Sequence, residues 1–122
     1  MVPTVFGANK MSLSQISNKA KNLYALCNKG TISPDLIKGA SFTISNLGAI
    51  GIESFTPILN PPQTGILGVC ATVERQKCGV TYPAMGLSLT FDHRALDGAD
   101  AARFLKDLVY CLENFGVFAA LV

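Results

Sequence analysis

The sequence predicts an α+β fold: a two-layer sandwich, a mixed sheet with helices on one face, in the order β-α-β-β-β-α. Three observations predict it. SFTISNL and AMGLSLTFDH alternate apolar and polar residues with the period of two that a half-buried strand requires. TGILGVCATVERQ lies between them and is apolar almost to Glu74, as a strand covered on both faces would be. Two longer segments repeat apolar residues at steps of three and four, the stripe of an amphipathic helix.

In chain order, Val2 to Phe6 is a short apolar run containing Pro3 and reads as an edge strand. Leu13, Ile16, Ala20, Leu23 and Cys27 form the first helical stripe. Ser12 with Gln15 makes a capping box before it, and Gly30 ends it. TISPDLIKG adds a further turn, capped by Ser33 with Pro34 in the first position. In SFTISNL, Phe42 and Ile44 point one way and Ser41, Thr43 and Ser45 the other. GAIGIESFTPILNPPQ reads as a loop whose Ile50, Ile52, Phe55 and Ile58 should pack against something. KCGVTYP reads as a turn. In the next strand Met85, Leu87, Leu89 and Phe91 share a face, and the alternation puts His93 with them. From Gly98 onward Ala102, Leu105, Leu108, Val109 and Leu112 make a second helical stripe.

A chain of 122 residues fits one domain with a real core. Charged residues make up 15%, against about a quarter in a typical soluble domain. That shortfall predicts apolar surface covered by another subunit. A net charge of +2 gives no case for nucleic acid. No run of about 18 apolar residues offers a membrane span, and MVPTVFGANK lacks the make-up of a signal peptide. Cys27, Cys70, Cys78 and Cys111 show no C-x-x-C spacing and there is one histidine, which argues against a metal site. All four cysteines sit in or beside apolar runs, which predicts small buried hydrophobes in a reducing cytoplasm.

The lone histidine stands in FDHRALDGADAARF. On the apolar face of a strand His93 would lose water, which favours the neutral imidazole that a general base needs. A buried histidine satisfied by a backbone carbonyl gives the same pattern. Asp97 can serve as the N-cap of the following helix, with Asp100 competing for that role. Arg94 can form a surface ion pair, and Gly98 a tight turn.

DHRALDGA, Asp92 to Ala99, resembles the D-H-R-x-x-D-G-A signature of the acyltransferase (E2) component of 2-oxoacid dehydrogenase complexes. SFTISNLGAIGIESFTPILNPPQTGILGV is similar to that family's F-T-I-S-N-L-G segment and its N-P-P-Q loop. SLSQISNKAKNLYALCNKGTISPDLIKGA and MVPTVFGANKMSL resemble the stretches before it, so the likeness runs along nearly the whole chain. The resemblance implies a CoA-dependent acyltransferase-like fold, related to chloramphenicol acetyltransferase. It implies acyl transfer between dihydrolipoamide and coenzyme A, with no metal.

By position in the motifs, His93 matches the catalytic base that takes the thiol proton. Ser45 matches the donor to the tetrahedral oxyanion, and Asp97 an acidic group that organises the site. The resemblance also implies a homotrimer or larger core, in which the histidine of one subunit meets the serine of its neighbour. The E1 and E3 components would be reached through domains not in this chain. The likeness covers the C-terminal half of the family's catalytic domain. The N-terminal half, the lipoyl domain and the peripheral-subunit-binding domain are therefore expected to be absent. Residues 1–122 read as a partial catalytic domain, and the alternative function is a catalytically inactive fragment that serves as a structural or trimerisation module. An acetyltransferase for another acceptor, such as a hydroxylated antibiotic, fits the F-T-I-S-N-L-G and N-P-P-Q stretches less well.

Overall fold

A computed structural model describes residues 1–120. The chain divides into two compact units, Met1–Ser41 and Phe42–Val122.

In the first unit, helix α1 spans Leu13–Lys29. Both halves of the expected capping box form: the Ser12 side chain accepts from the Gln15 N–H, and the Gln15 side chain accepts from the Ser12 N–H. Gly30 ends the helix in the left-handed region, φ 67°, returning its N–H to Cys27 and Leu26. Leu23 is the buried centre of the stripe, while Leu13 at its start is exposed. A 3₁₀ turn at Pro34–Ile37 is capped by Ser33, as the sequence predicts. Val2 to Phe6 is not a strand. Thr4 makes a single extended contact, its N–H donating to the Leu36 carbonyl at 2.7 Å. Pro3 beside it has no N–H to extend that contact into a ladder.

The second unit is built on a three-stranded sheet. Strand β1 (Thr43–Asn46) runs parallel to β2 (Gly65–Lys77), and β2 runs antiparallel to β3 (Val80–Phe91). The sheet is mixed, as expected, with one strand fewer than the sequence suggests. The two-residue turn Cys78–Gly79 joins β2 to β3, so most of KCGVTYP is strand rather than turn. Both positions have positive φ, 52° and 80°, which suits a tight hairpin of this length.

The core lies in the first half of β2, where Gly65, Ile66, Leu67, Gly68, Cys70 and Ala71 are buried. This is the apolar stretch the sequence marks as covered on both faces. The register identifies the covers. Phe42 packs over Gly65, and its ring lies 6.1 Å from that of Phe104 on helix α2 (Gly98–Glu113). Phe55 and Pro57 press on Gly68, whose side-chain direction is opposite to that of Gly65. Helix α2 thus takes one face, and the 53–63 loop takes the hydroxyl face.

Helix α2 buries Ala101 and half-buries Leu105 and Leu108; Ala102, Val109 and Leu112 of the predicted stripe stay exposed. A short helix α3 (Phe115–Ala119) follows. Ile44, Ile50, Ile52 and Ile58 are also exposed, so of the four loop residues expected to pack, Phe55 is the one that turns inward, beside the buried Pro57. The cysteines divide likewise: Cys70 is buried and Cys27 half-buried, but Cys78 and Cys111 are exposed, against the expectation that all four are buried. Among the described residues no helix is long and apolar enough to cross a membrane.

Candidate active site

Residues 92–97 form a turn between β3 and α2. Asp92 continues the sheet by one step, donating its N–H to the Thr64 carbonyl at 2.9 Å. Its carboxylate then turns the chain. Oδ1 accepts from the Arg94 N–H at 2.9 Å, and the two carboxylate oxygens grip the guanidinium at 2.6 to 3.1 Å. This is an Asx-type turn reinforced by a bidentate ion pair. Hydrogen bonding to Arg94 holds the Asp92 carboxyl at about 2, well below the usual carboxylate range. The same contact pushes the Arg94 guanidinium further up. Arg94 is 91% exposed, so the pair's role is geometric more than energetic.

The pair brackets His93 and turns it out of the strand. The imidazole does not continue the apolar face of β3; its side chain is 74% exposed and leans on the Phe91 ring at 5.5 Å. The burial expected for it is not supplied by this chain. Asp97 occupies the N-cap of α2 but its side chain makes no capping hydrogen bond. Its Oδ1 instead stands 3.9 Å from Nδ1 of His93. Asp100 does not cap either; it pairs with Arg103 at 2.7 Å.

Ser45 is half-buried on β1. The register sets it beside Gly68 of β2, and Gly68 beside Ser88 of β3. At Gly68 an added Cβ would stand 2.9 Å from the Phe55 ring. The row is thus small and polar on the face that Phe55 closes. Beyond Ser45 the chain is pinned at once: Leu47 donates to Val69 O at 3.1 Å, and Asn46 Oδ1 accepts from the Gly48 N–H at 2.9 Å. Gly48 touches the β2 backbone where β2 bulges between Val69 and Thr72; a Cβ there would lie 2.4 Å from the Cys70 carbonyl oxygen.

The structure brings His93 and Asp97 together, and it sets Ser45 on β1, two strands from β3 and in the row of Ser88. His93 follows five residues after Ser88, which shares a row with Ser45 two strands away. With about 3.3 Å per residue along a strand and about 4.8 Å between strands, Ser45 stands about 14 Å from Phe91 at the end of β3, and His93 follows two residues beyond that end. Among the described residues no cluster of His, Cys, Asp and Glu could hold a metal ion.

The family model for 2-oxoacid dehydrogenase acyltransferases (catalytic domain) matches residues 1–119. The chain belongs to that family. The acetyltransferase component of the acetoin cleaving system of Bacillus subtilis is 44% identical over 93% of this chain, which spans 30% of that protein. The dihydrolipoamide acetyltransferase of Azotobacter vinelandii superposes with a TM-score of 0.85 at 38% identity, over 92% of this chain and 48% of that one. Its catalytic mechanism has been investigated through a serine, a histidine and an asparagine. The cubic core of a pyruvate dehydrogenase multienzyme complex gives the same TM-score at 39% identity and the same coverage. The acyltransferase family member described here therefore spans about half the length of its solved relatives.

Sequence reasoning singled out His93, Ser45 and Asp97 as candidates but did not foresee the Asp92–Arg94 clamp. The signal was present in an aspartate two residues before an arginine at a strand end, the spacing of an Asx turn.

Proposed function

We propose that this chain is part of an acyltransferase that moves an acyl group between dihydrolipoamide and coenzyme A. The observation that carries the reading is the His93–Asp97 pair, i and i+4, with the carboxylate uncommitted to helix capping and facing Nδ1. At 3.9 Å the pair is short of a hydrogen bond; closing that gap would set the carboxylate on Nδ1, fix the tautomer and leave Nε2 as the free base. In the Azotobacter enzyme the histidine and asparagine investigated also stand four residues apart, which supports the same role for Asp97.

In the proposed reaction His93 Nε2 takes the proton of the attacking thiol. The sulfur bonds to the acyl carbon of the thioester, and the carbonyl oxygen gains the negative charge. The Ser45 hydroxyl donates a hydrogen bond to that oxygen. Collapse breaks the original carbon–sulfur bond, and the departing sulfur takes the proton back from His93. Because the two groups lie apart in one chain, Ser45 is supplied by a neighbouring copy, in a trimer or larger core. The apolar residues left exposed, Ile44 and Phe104 among them, support such covering. The cubic core of the related complex supports a higher assembly.

The test is CoA-dependent acyl transfer to dihydrolipoamide by the full chain. Transfer that His93→Ala lowers by about 10²–10⁴-fold supports the reading. Transfer equal in both variants removes His93 from it, and transfer in neither leaves a structural module.

A further inference from the structure

The N-P-P-Q stretch takes no part in the reaction above, yet it forms a cluster with a definite target. Asn60 and Gln63 close a turn, the Gln63 N–H donating to the Asn60 carbonyl at 2.9 Å. Both side chains converge on the hydroxyl of Thr43. Thr43 Oγ1 donates to Gln63 Oε1 at 2.6 Å and accepts from Asn60 Nδ2 at 3.3 Å. Thr43 is 6% exposed, so its hydroxyl has little water to fall back on, and the two amides supply both a donor and an acceptor.

What Thr43 holds matters more than Thr43 itself. β1 is four residues long and pairs with one neighbour, in the parallel arrangement. Such a strand is weakly held by its ladder alone. Thr43 and Ser45 project from the same face, two residues apart. On that face the 53–63 loop is anchored twice in one row: at Thr43, and at Thr90, whose hydroxyl donates to Pro57 O at 2.6 Å. The loop also brings Phe55 onto Gly68, the neighbour of Ser45.

We propose that Gln63 and Asn60 are positioning residues for Ser45. By clamping the Thr43 hydroxyl they set the roll and register of β1, and with them the direction of the Ser45 Oγ. This rests on the acyl-transfer reading and adds a function for the N-P-P-Q turn. A displacement of about 1 Å at a reacting group is enough to cost up to about 10²-fold in rate.

The test is a double-mutant cycle in the full chain, with kcat and KM read separately. Gln63→Leu removes the acceptor and is expected to lower kcat by about 10–100-fold with KM for CoA unchanged. Gln63→Glu keeps an acceptor oxygen and is expected to restore most of it. In a Ser45→Ala background Gln63→Leu is expected to have no further effect, because its route to the chemistry is gone. Equal falls in both backgrounds make the cluster merely structural and overturn the proposal. If Gln63→Leu fails to fold, Asn60→Asp, which loses one donor, runs the same cycle with the same two outcomes. Ser45→Ala leaving kcat untouched removes Ser45 from the reaction and takes the clamp down with it. Ser45→Ala lowering kcat while the cycle is additive removes the clamp alone.

Discussion

The strand β1 and the turn at residues 92–97 each present one side chain to the proposed chemistry, and they are held in opposite ways. β1 is fixed by uncharged contacts: a buried threonine between two amides, a glycine against the Cys70 carbonyl, and an aromatic ring over Gly68. The turn is fixed by charge in the open, with Asp92 gripping an Arg94 that is 91% exposed. Packing that tolerates no added methyl group defines position tightly and is insensitive to salt. An exposed ion pair defines direction and weakens as salt or acid rises. Ser45 is thus built into a rigid wall, whereas His93 stands out from the chain, where another surface can close over it.

The largest effect expected from breaking either side is on the chemistry. His93→Ala is expected to reduce transfer by about 10²–10⁴-fold, and Ser45→Ala by about 10²–10³-fold, both without loss of the circular-dichroism spectrum. A smaller loss for Ser45→Ala than for Gln63→Leu would reverse the order of dependence on the β1 side.

Next come the supports of the wall. Gly48→Ala places a methyl group 2.4 Å from the Cys70 carbonyl oxygen, so the backbone must move. The expected cost is about 1–3 kcal/mol, read as a fall in thermal midpoint. At Gly98, beside the turn, an added Cβ meets nothing within 4 Å. Gly98→Ala is therefore expected to change stability by less than about 0.5 kcal/mol. Equal costs at the two glycines would erase the contrast between a packed strand and an open turn.

The smallest effect is the pH dependence of the turn. The Asp92 carboxyl is lowered from 3.8 to about 2 in the folded chain. A lowered folded value means that its contribution is complete above about 3.8 and is lost as pH falls towards about 2. The protection of the Arg94 amide, its exchange rate relative to an unprotected amide at the same pH, is expected to fall across this window in wild type, because its N–H is held by that carboxylate. In Asp92→Asn that protection should stay at one level, while the protection of the β1 amides stays constant in both.

Much of this was legible in the sequence wherever local chemistry decides the outcome. The capping box at Ser12 and Gln15, the stop at Gly30, the cap at Ser33 and the doubly covered first half of β2 follow from residue types a few positions apart. The misses share a cause. Alternation told which residues of SFTISNL share a face but not which face is inward. The hydroxyl of Thr43 is buried while Ile44 is exposed, because the 53–63 loop covers that side. Extending the alternation of β3 through Asp92 put His93 on the apolar face, but the Asp92–Arg94 clamp ends the strand first. KCGVTYP reads as turn by composition, yet two residues with positive φ suffice and the strands run on. The family motifs marked His93, Ser45 and Asp97 as candidates; only the register shows that Ser45 shares its row with Ser88, five residues before His93.

The central claim, that two copies of the chain share each site, is tested most directly by mixing variants. His93→Ala and Ser45→Ala, each inactive alone, are unfolded together and reassembled in equal amounts, and acyl transfer is measured. Random pairing leaves about a quarter of the sites with an intact His93 from one copy and an intact Ser45 from its neighbour. The account predicts recovery of about that fraction of wild-type activity; a mixture as inactive as its two components would contradict it.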